Sequence, residues 1–243
     1  RAAHVRYKQE AALMLIMETA SQHFERGEYQ AAMEAWLQAA GDGDTEAEFR
    51  LGQLHSQGAG FEKDFQRALE HFLKAANAGH TESEYSLGVL YGVGLGTKED
   101  VPEAAYWYTR AADKGHVPAM CNLAGLYERG TGVTQDFAKA VELYSTAAQE
   151  GYVVAAFNLG VMWENGVGLP KDAAKAAEFY ELASSAGLAA AQFNLAVLLL
   201  TGDNVERDVE RAMDLMAAAA DQGYVPAQSN LALLQQNSAD GSA

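Results

Sequence analysis

One period governs this chain: the same residue types return every 36 positions. Leu159-Gly160 recurs as Leu51-Gly52 and Leu87-Gly88, and with Ala for Gly as Leu123-Ala124, Leu195-Ala196 and Leu231-Ala232. A G-x-G follows at fixed phase, as Gly58/Gly60, Gly94/Gly96, Gly130/Gly132 and Gly166/Gly168, and becomes Gly202 and Asn204 in the fifth copy. Next come an acid (Asp64, Asp100, Asp136, Asp172, Asp208), a small residue (Ala68, Ala104, Ala140, Ala176, Ala212) and a large one (Phe72, Tyr108, Tyr144, Tyr180, Met216). Each copy closes on Gly79, Gly115, Gly151, Gly187 or Gly223. A G-x-G that cradles a phosphate follows a strand, precedes a basic residue and occurs once. One that returns at every period is a connector.

Each column has a physical reading. The Asp is the N-cap of a helix, accepting from free backbone N–H groups and complementing the dipole. Asp100 and Glu103 add a capping-box pattern, with Pro102 tolerated in the first turn. The closing Gly is a left-handed helix stop. Between cap and stop, Ala and aromatic residues at i, i+4, i+7 and i+8 make one apolar face. The Leu-Gly segment is a second helix whose Gly or Ala admits its neighbour closely. Asn204 tolerates the positive φ that its glycine equivalents are expected to adopt. Each copy therefore reads as helix A, glycine connector, helix B and a short turn. Such a pair cannot bury its own apolar face, and stacking pairs side by side does so. The expected fold is all-α, an α/α solenoid of 36-residue helix-turn-helix repeats forming one domain over 1–243. Within it, 1–43 read as a tetratricopeptide-like N-terminal cap whose connector is only Arg26-Gly27. Residues 44–223 read as five repeats, 224–237 as a capping helix and 238–243 as a frayed tail.

The chain has 243 residues, 49% of them apolar, and 17 Lys plus Arg against 33 Asp plus Glu, a formal net charge of −16. Such a chain repels phosphate backbones, so nucleic acid is not expected as a partner and a basic protein or peptide suits it better. The same acidity also serves plain solubility. Cys121 is the single cysteine, which excludes an intramolecular disulfide and a cysteine-built metal site. The apolar run Ala11–Met17 is too short to span a bilayer. Basic residues precede it as in a signal sequence, but Glu18 follows and no A-x-A pattern appears, so a buried helix face is expected. The chain opens on Arg, as it would after removal of a targeting peptide.

Ala156, Phe157, Asn158, Leu159, Gly160, Gly166, Gly168, Asp172, Lys175, Ala176, Tyr180, Ala183 and Gly187 together resemble the Sel-one-like repeat family, an α/α class related to tetratricopeptide repeats. The resemblance spans Glu28 to Gln236. It implies a right-handed superhelix that scaffolds protein complexes, often in bacterial envelope, secretion or signalling systems and in eukaryotic quality control. That slightly favours an envelope, periplasmic or secreted location. Members with a disulfide in every repeat differ from this chain, which has Cys121 alone.

In stacked helix pairs the A helices line the concave face, and the candidate partner site lies there. One residue before the Leu column stand Arg50, Ser86, Asn122, Asn158, Asn194 and Asn230. The asparagine ladder either grips an extended peptide backbone or bonds within the stack and stabilises it. One earlier stand Phe49, Tyr85, Cys121, Phe157, Phe193 and Ser229, which anchor a partner where exposed and fill the core where not, core being the expected use. Two after Leu stand Gln53, Val89, Gly125, Val161, Val197 and Leu233, either covered by a neighbour or forming an apolar groove. Arg50 and Arg129 are the only cations on this face, so a clamp for a terminal carboxylate is not expected. His80 and His116, at helix A starts, are expected to face solvent. No nucleophile elbow or zinc-type histidine pair appears, so no catalytic residue, metal or cofactor is proposed. The leading expectation is a non-enzymatic scaffold with a monomer favoured. The competing one is a self-assembling or enzyme-docking subunit of an envelope complex, which would run as an oligomer.

Overall fold

The computed structural model describes residues 2–202 and 204–239. It consists of thirteen helices: α1 (Ala2–Glu25), α2 (Tyr29–Gly41), α3 (Thr45–Gln57), α4 (Phe65–Asn77), α5 (Thr81–Val93), α6 (Val101–Asp113), α7 (Val117–Arg129), α8 (Phe137–Gln149), α9 (Val153–Asn165), α10 (Ala173–Ser185), α11 (Ala189–Thr201), α12 (Val209–Asp221) and α13 (Val225–Ala239). No strand occurs among the described residues. Odd helices are the A elements and even helices the B elements, so the expected α/α repeat class is the one adopted. Of the expected tail at 238–243, α13 continues through Ala239 and 240–243 lie outside the described residues.

The packing forms two compact units. The first runs to Leu126 and takes in Gly130–Thr134; the second holds Tyr127–Arg129 and the described residues from Gln135 on. Within the first, each of α1 to α5 packs on the helix that follows it, and within the second so does each of α8 to α12. The Leu column is the spine: Leu51, Leu87, Leu159 and Leu195 are no more than 2% exposed. Burying each contributes roughly 1.5–3 kcal/mol. Phe49, Phe72, Leu87 and Trp107 share one core in the first unit. Tyr180, Leu195, Leu199 and Met216 share one in the second.

Two glycine positions set the helix spacing. At Gly88 an added Cβ would lie 2.5 Å from the Tyr108 ring, so the absent side chain is what lets α5 and α6 close on each other. Gly96, at φ +73°, sits so close to the start of α4 that a Cβ would be 2.2 Å from the Phe65 carbonyl oxygen. The connector of one repeat is thus seated on the helix B of the repeat before it. In the fifth copy Asn204 adopts φ 55°, the only non-glycine positive φ among the described residues.

The caps follow the sequence. Asp64, Asp100, Asp136, Asp172 and Asp208 each accept a backbone N–H in the first turn of α4, α6, α8, α10 and α12. Asp44 does the same for α3. His80 and His116 depart from expectation: they are half-buried, not solvent-facing. Each occupies the N-cap position equivalent to Asp44, where its Nδ1 accepts from Ser83 N or Ala119 N at 3.2 Å. Their rings stack on Phe49 and Tyr85, at 4.6 Å between centroids in both pairs. A helix start needs an acceptor, and a neutral imidazole supplies one while its ring fills the gap beside an aromatic neighbour.

Protonating His116 removes that acceptor and places a positive charge at a helix N-terminus. Burial holds its pKa below the usual histidine value of 6.5, with Glu82 pulling the other way. Because the folded value lies below the unfolded one, the neutral cap's contribution is complete above the unfolded value. It is lost as pH falls through the folded value. On lowering pH from about 7 to about 5, His116→Asp should therefore lose less stability than the natural protein, by about 1 kcal/mol, the worth of a cap. Equal pH slopes in urea unfolding of the two proteins would remove this cap from the account.

Candidate protein-binding face

The aromatic column of the A helices is wedged between layers. Phe49, 8% exposed, packs on Phe72 of its own helix B and on the capping His80. Tyr85 is held in the same way by Tyr108 and His116. Phe157 packs on Tyr180 and beside Leu188, and Phe193 packs on Tyr224. Cys121, in the same column, is buried, and burial raises its thiol to about 11, away from thiolate chemistry. These residues hold consecutive hairpins together, while Tyr85, Phe157 and Phe193 keep one edge at the surface.

The asparagine ladder is partly used within the stack. Asn122 is placed against the Tyr108 hydroxyl and Asn194 against that of Tyr180, each acting to lower that phenol's pKa. Each links an A helix to the B helix before it. Burial, opposed by Asn122, raises the Tyr108 phenol to about 12. Tyr180 is raised by burial first and then by Glu164, to which its hydroxyl donates. Asn158 is half-buried. At Asn230 the position matching Tyr180 is Met216, which has no hydroxyl to offer. Arg50, also in this column, is exposed, donates to Glu46 at 2.7 Å and to Gln53 at 3.1 Å, and lies over the Phe49 ring.

Apart from Gly125, which is buried, the column two after Leu stays at the surface without charge. Val89, Val161 and Val197 are half-buried, as is Gln53, and Leu233 is 56% exposed. Arg129 is exposed in the last turn of α7. In the second unit the apolar character is concentrated: α11 has no charged residue and α9 has only Glu164. Val154, Phe157 and Val161 on α9, and Phe193, Val197 and Leu200 on α11, stand at helical spacing as an uncharged row on each helix, all but Val154 half-buried against the second unit's core. Helices so apolar are ordinarily covered on every side.

Two features escaped the sequence reading. Glu84 is fully buried and pairs with Arg110 at 2.7 Å and Lys114 at 2.8 Å. Glu48, one period earlier, pairs with His71 at 2.6 Å and Lys74 at 3.3 Å. The available signal was an acid three residues before a buried Leu, with a base at matching phase on helix B. The second feature is a cavity between α1 and α3, over α2. Among the described residues no three His, Cys, Asp or Glu come together as a metal-ligand set. No described helix is long and apolar enough to cross a membrane.

A family model described as Sel1 repeat matches residues 45–80, 81–116, 117–152, 153–188 and 189–224. A protective antigen of uropathogenic Escherichia coli displaying an SLR fold is similar, with 30% identity and a TM-score of 0.87. The match covers 95% of this chain and 50% of that one, so this chain spans half the length of that protein. A Sel1 repeat protein from Oxalobacter formigenes matches at 27% identity and a TM-score of 0.81, over 89% of this chain and 86% of its own. An immunity protein from Pseudomonas aeruginosa shares the fold at 21% identity and a TM-score of 0.52, over 86% of this chain and 82% of its own. No curated protein matches in sequence.

Proposed function

Because the chain belongs to the Sel1 repeat family, whose members are generally protein-interaction scaffolds, we propose that it is a non-enzymatic scaffold holding a protein or peptide partner along its A-helix face. The observation that carries this reading is the uncharged row on α9 and α11, an apolar surface flanked by asparagine amides in an otherwise acidic chain. Apolar side chains exclude water from a partner, while amide groups pair with its backbone and fix its register. The net charge of −16 favours a basic partner, whose encounter would be steered at low salt and slowed at high salt.

The test is charge insertion. Val161→Glu with Val197→Glu places two carboxylates in the row at half-buried positions that do not belong to the Leu spine. Helical content should be kept, and affinity for the partner should fall at least about 30-fold, the loss of one interface anchor. Unchanged affinity with the fold intact would overturn the assignment of this face. The alternative, a self-assembling or enzyme-docking subunit, draws on α1, where Tyr7, Met14 and Leu15 are 70%, 74% and 64% exposed. Sedimentation separates the two: the scaffold reading expects a monomer of 26.0 kDa, the alternative an oligomer lost on Met14→Glu with Leu15→Glu.

A further inference from the structure

The cavity between α1 and α3 has a construction that points to an occupant. It measures about 320 Å³ and lies between the last turns of α1 and α3, over α2. Its apolar lining is Phe24, Trp36 and Leu54. Phe24 and Trp36 lie 5.6 Å apart at a 46° tilt, a fixed aromatic corner. This volume is at the lower end of the roughly 300–1,000 Å³ of small-molecule sites and suits one large side chain better than a cofactor. The indole N–H of Trp36 is buried beneath this floor, without an acceptor among the described residues and out of reach of the cavity, so the floor itself is apolar.

The rim is polar. Ser21, Glu25, Gln53 and Gln57 surround the opening together with Arg50. Arg50 donates to Glu46 and to Oε1 of the Gln53 side chain. Its charge is thereby balanced, and the Gln53 amide N–H group is left to donate. Glu25 has no ion-pair partner among the described residues and is exposed, so the rim's remaining charge is negative. Polar side chains thus surround an apolar floor.

We propose that this cavity seats a large apolar side chain, of leucine or phenylalanine size, from an extended segment of a partner protein, with a neighbouring lysine or arginine of that segment meeting Glu25. This rests on the scaffold reading and adds to it a defined anchor point on the first unit. The anchor side chain covers Phe24, Trp36 and Leu54. The backbone groups of the segment pair with Gln53, Gln57 and Ser21 at the rim. An acidic segment is disfavoured by Glu25 and by the charge of the whole chain.

The experiment uses the full chain and synthetic blocked peptides Ser-Lys-Xaa-Lys-Ser, with Xaa leucine, phenylalanine or alanine, plus a leucine peptide with glutamate in place of both lysines. Binding is read by titration of the Trp36 indole N–H resonance. The leucine and phenylalanine peptides should shift that resonance in a saturable way. The alanine peptide should bind at least about 30-fold more weakly, as expected for loss of an anchor. The glutamate peptide should bind more weakly still, and Glu25→Lys should reverse the preference between lysine and glutamate flanks. Ser21→Trp, which fills the mouth from an exposed helix position, should abolish the shift. No saturable shift with either apolar peptide, or binding unchanged in Ser21→Trp, overturns the proposal. Partner binding that survives Ser21→Trp but is lost with Val161→Glu and Val197→Glu overturns the cavity and leaves the scaffold reading standing.

Discussion

Arg110→Leu is expected to destabilise the first unit by about 3–5 kcal/mol, the cost of leaving a buried charge without its main partner. Glu84 has no exposed surface, whereas Arg110 and Lys114 keep 29% and 37% of theirs. The carboxylate therefore depends on these two bases for its solvation. Arg110 also donates to the Ala76 carbonyl at 3.1 Å and lies over the Trp107 ring, and Lys114 donates to the Gly79 carbonyl at 3.0 Å. The cluster thus ties the end of α4 to the hairpin that follows it. Adding Glu84→Met to Arg110→Leu should return most of the loss, because an apolar replacement of a buried ion pair is often neutral or better. The chain contains such a solution itself: the positions matching Glu84 and Arg110 are Met120 and Thr146 in the next copy, and Ala156 and Leu182 in the one after. Urea unfolding of the single and double variants checks this. A double variant no more stable than Arg110→Leu would show that the ion pair has a use beyond its own satisfaction.

Gly96→Ala is expected to be far more damaging than the same change at Gly115. Both glycines have positive φ, at +73° and +87°, so each substitution carries about 1–2 kcal/mol of backbone strain. Gly115 has nothing within 4 Å of an added Cβ. At Gly96 that Cβ would meet the Phe65 carbonyl and the Gln66 nitrogen, which are backbone atoms at the start of α4 and cannot rotate aside. Relieving the clash means lifting the connector off the preceding helix, which adds about 1–3 kcal/mol as overpacking does. Hydrogen exchange in the α4 first turn should rise with Gly96→Ala and stay unchanged with Gly115→Ala. Equal loss of stability at the two positions would mean that the connector is not seated on the repeat before it.

The repeat unit was legible because it rests on local rules that act every 36 residues. Asp caps, glycine stops, the Leu spine and the small column opposite Tyr108 or Tyr180 each depend on neighbours at fixed separation. Asn204 was legible for the same reason, since a single backbone angle decides it. What was not legible depended on fine placement. A histidine after a turn glycine looks solvent-facing by position, yet His80 and His116 are drawn inward by the aromatic rings of Phe49 and Tyr85. Glu48 and Glu84 look like surface acids until helix B brings bases to them. The asparagine column was seen, but its engagement with tyrosine hydroxyls at Asn122 and Asn194 required the register between one helix B and the next helix A. The cavity over Trp36 lies where the N-terminal cap meets the first repeat, and a periodic pattern carries no information about its own exception.

The most direct measurement is site-specific photo-crosslinking in the native cell, scanned by register. A photoreactive residue is placed in turn at Gln53, Val89, Val161 and Val197 on the A helices, and at Glu70, Tyr106, Glu142 and Glu178, which are exposed on the B helices. The account predicts partner adducts from the first set, with yields highest at Val161 and Val197, and none above background from the second. Adducts confined to the B-helix positions, or equal at both, would contradict it.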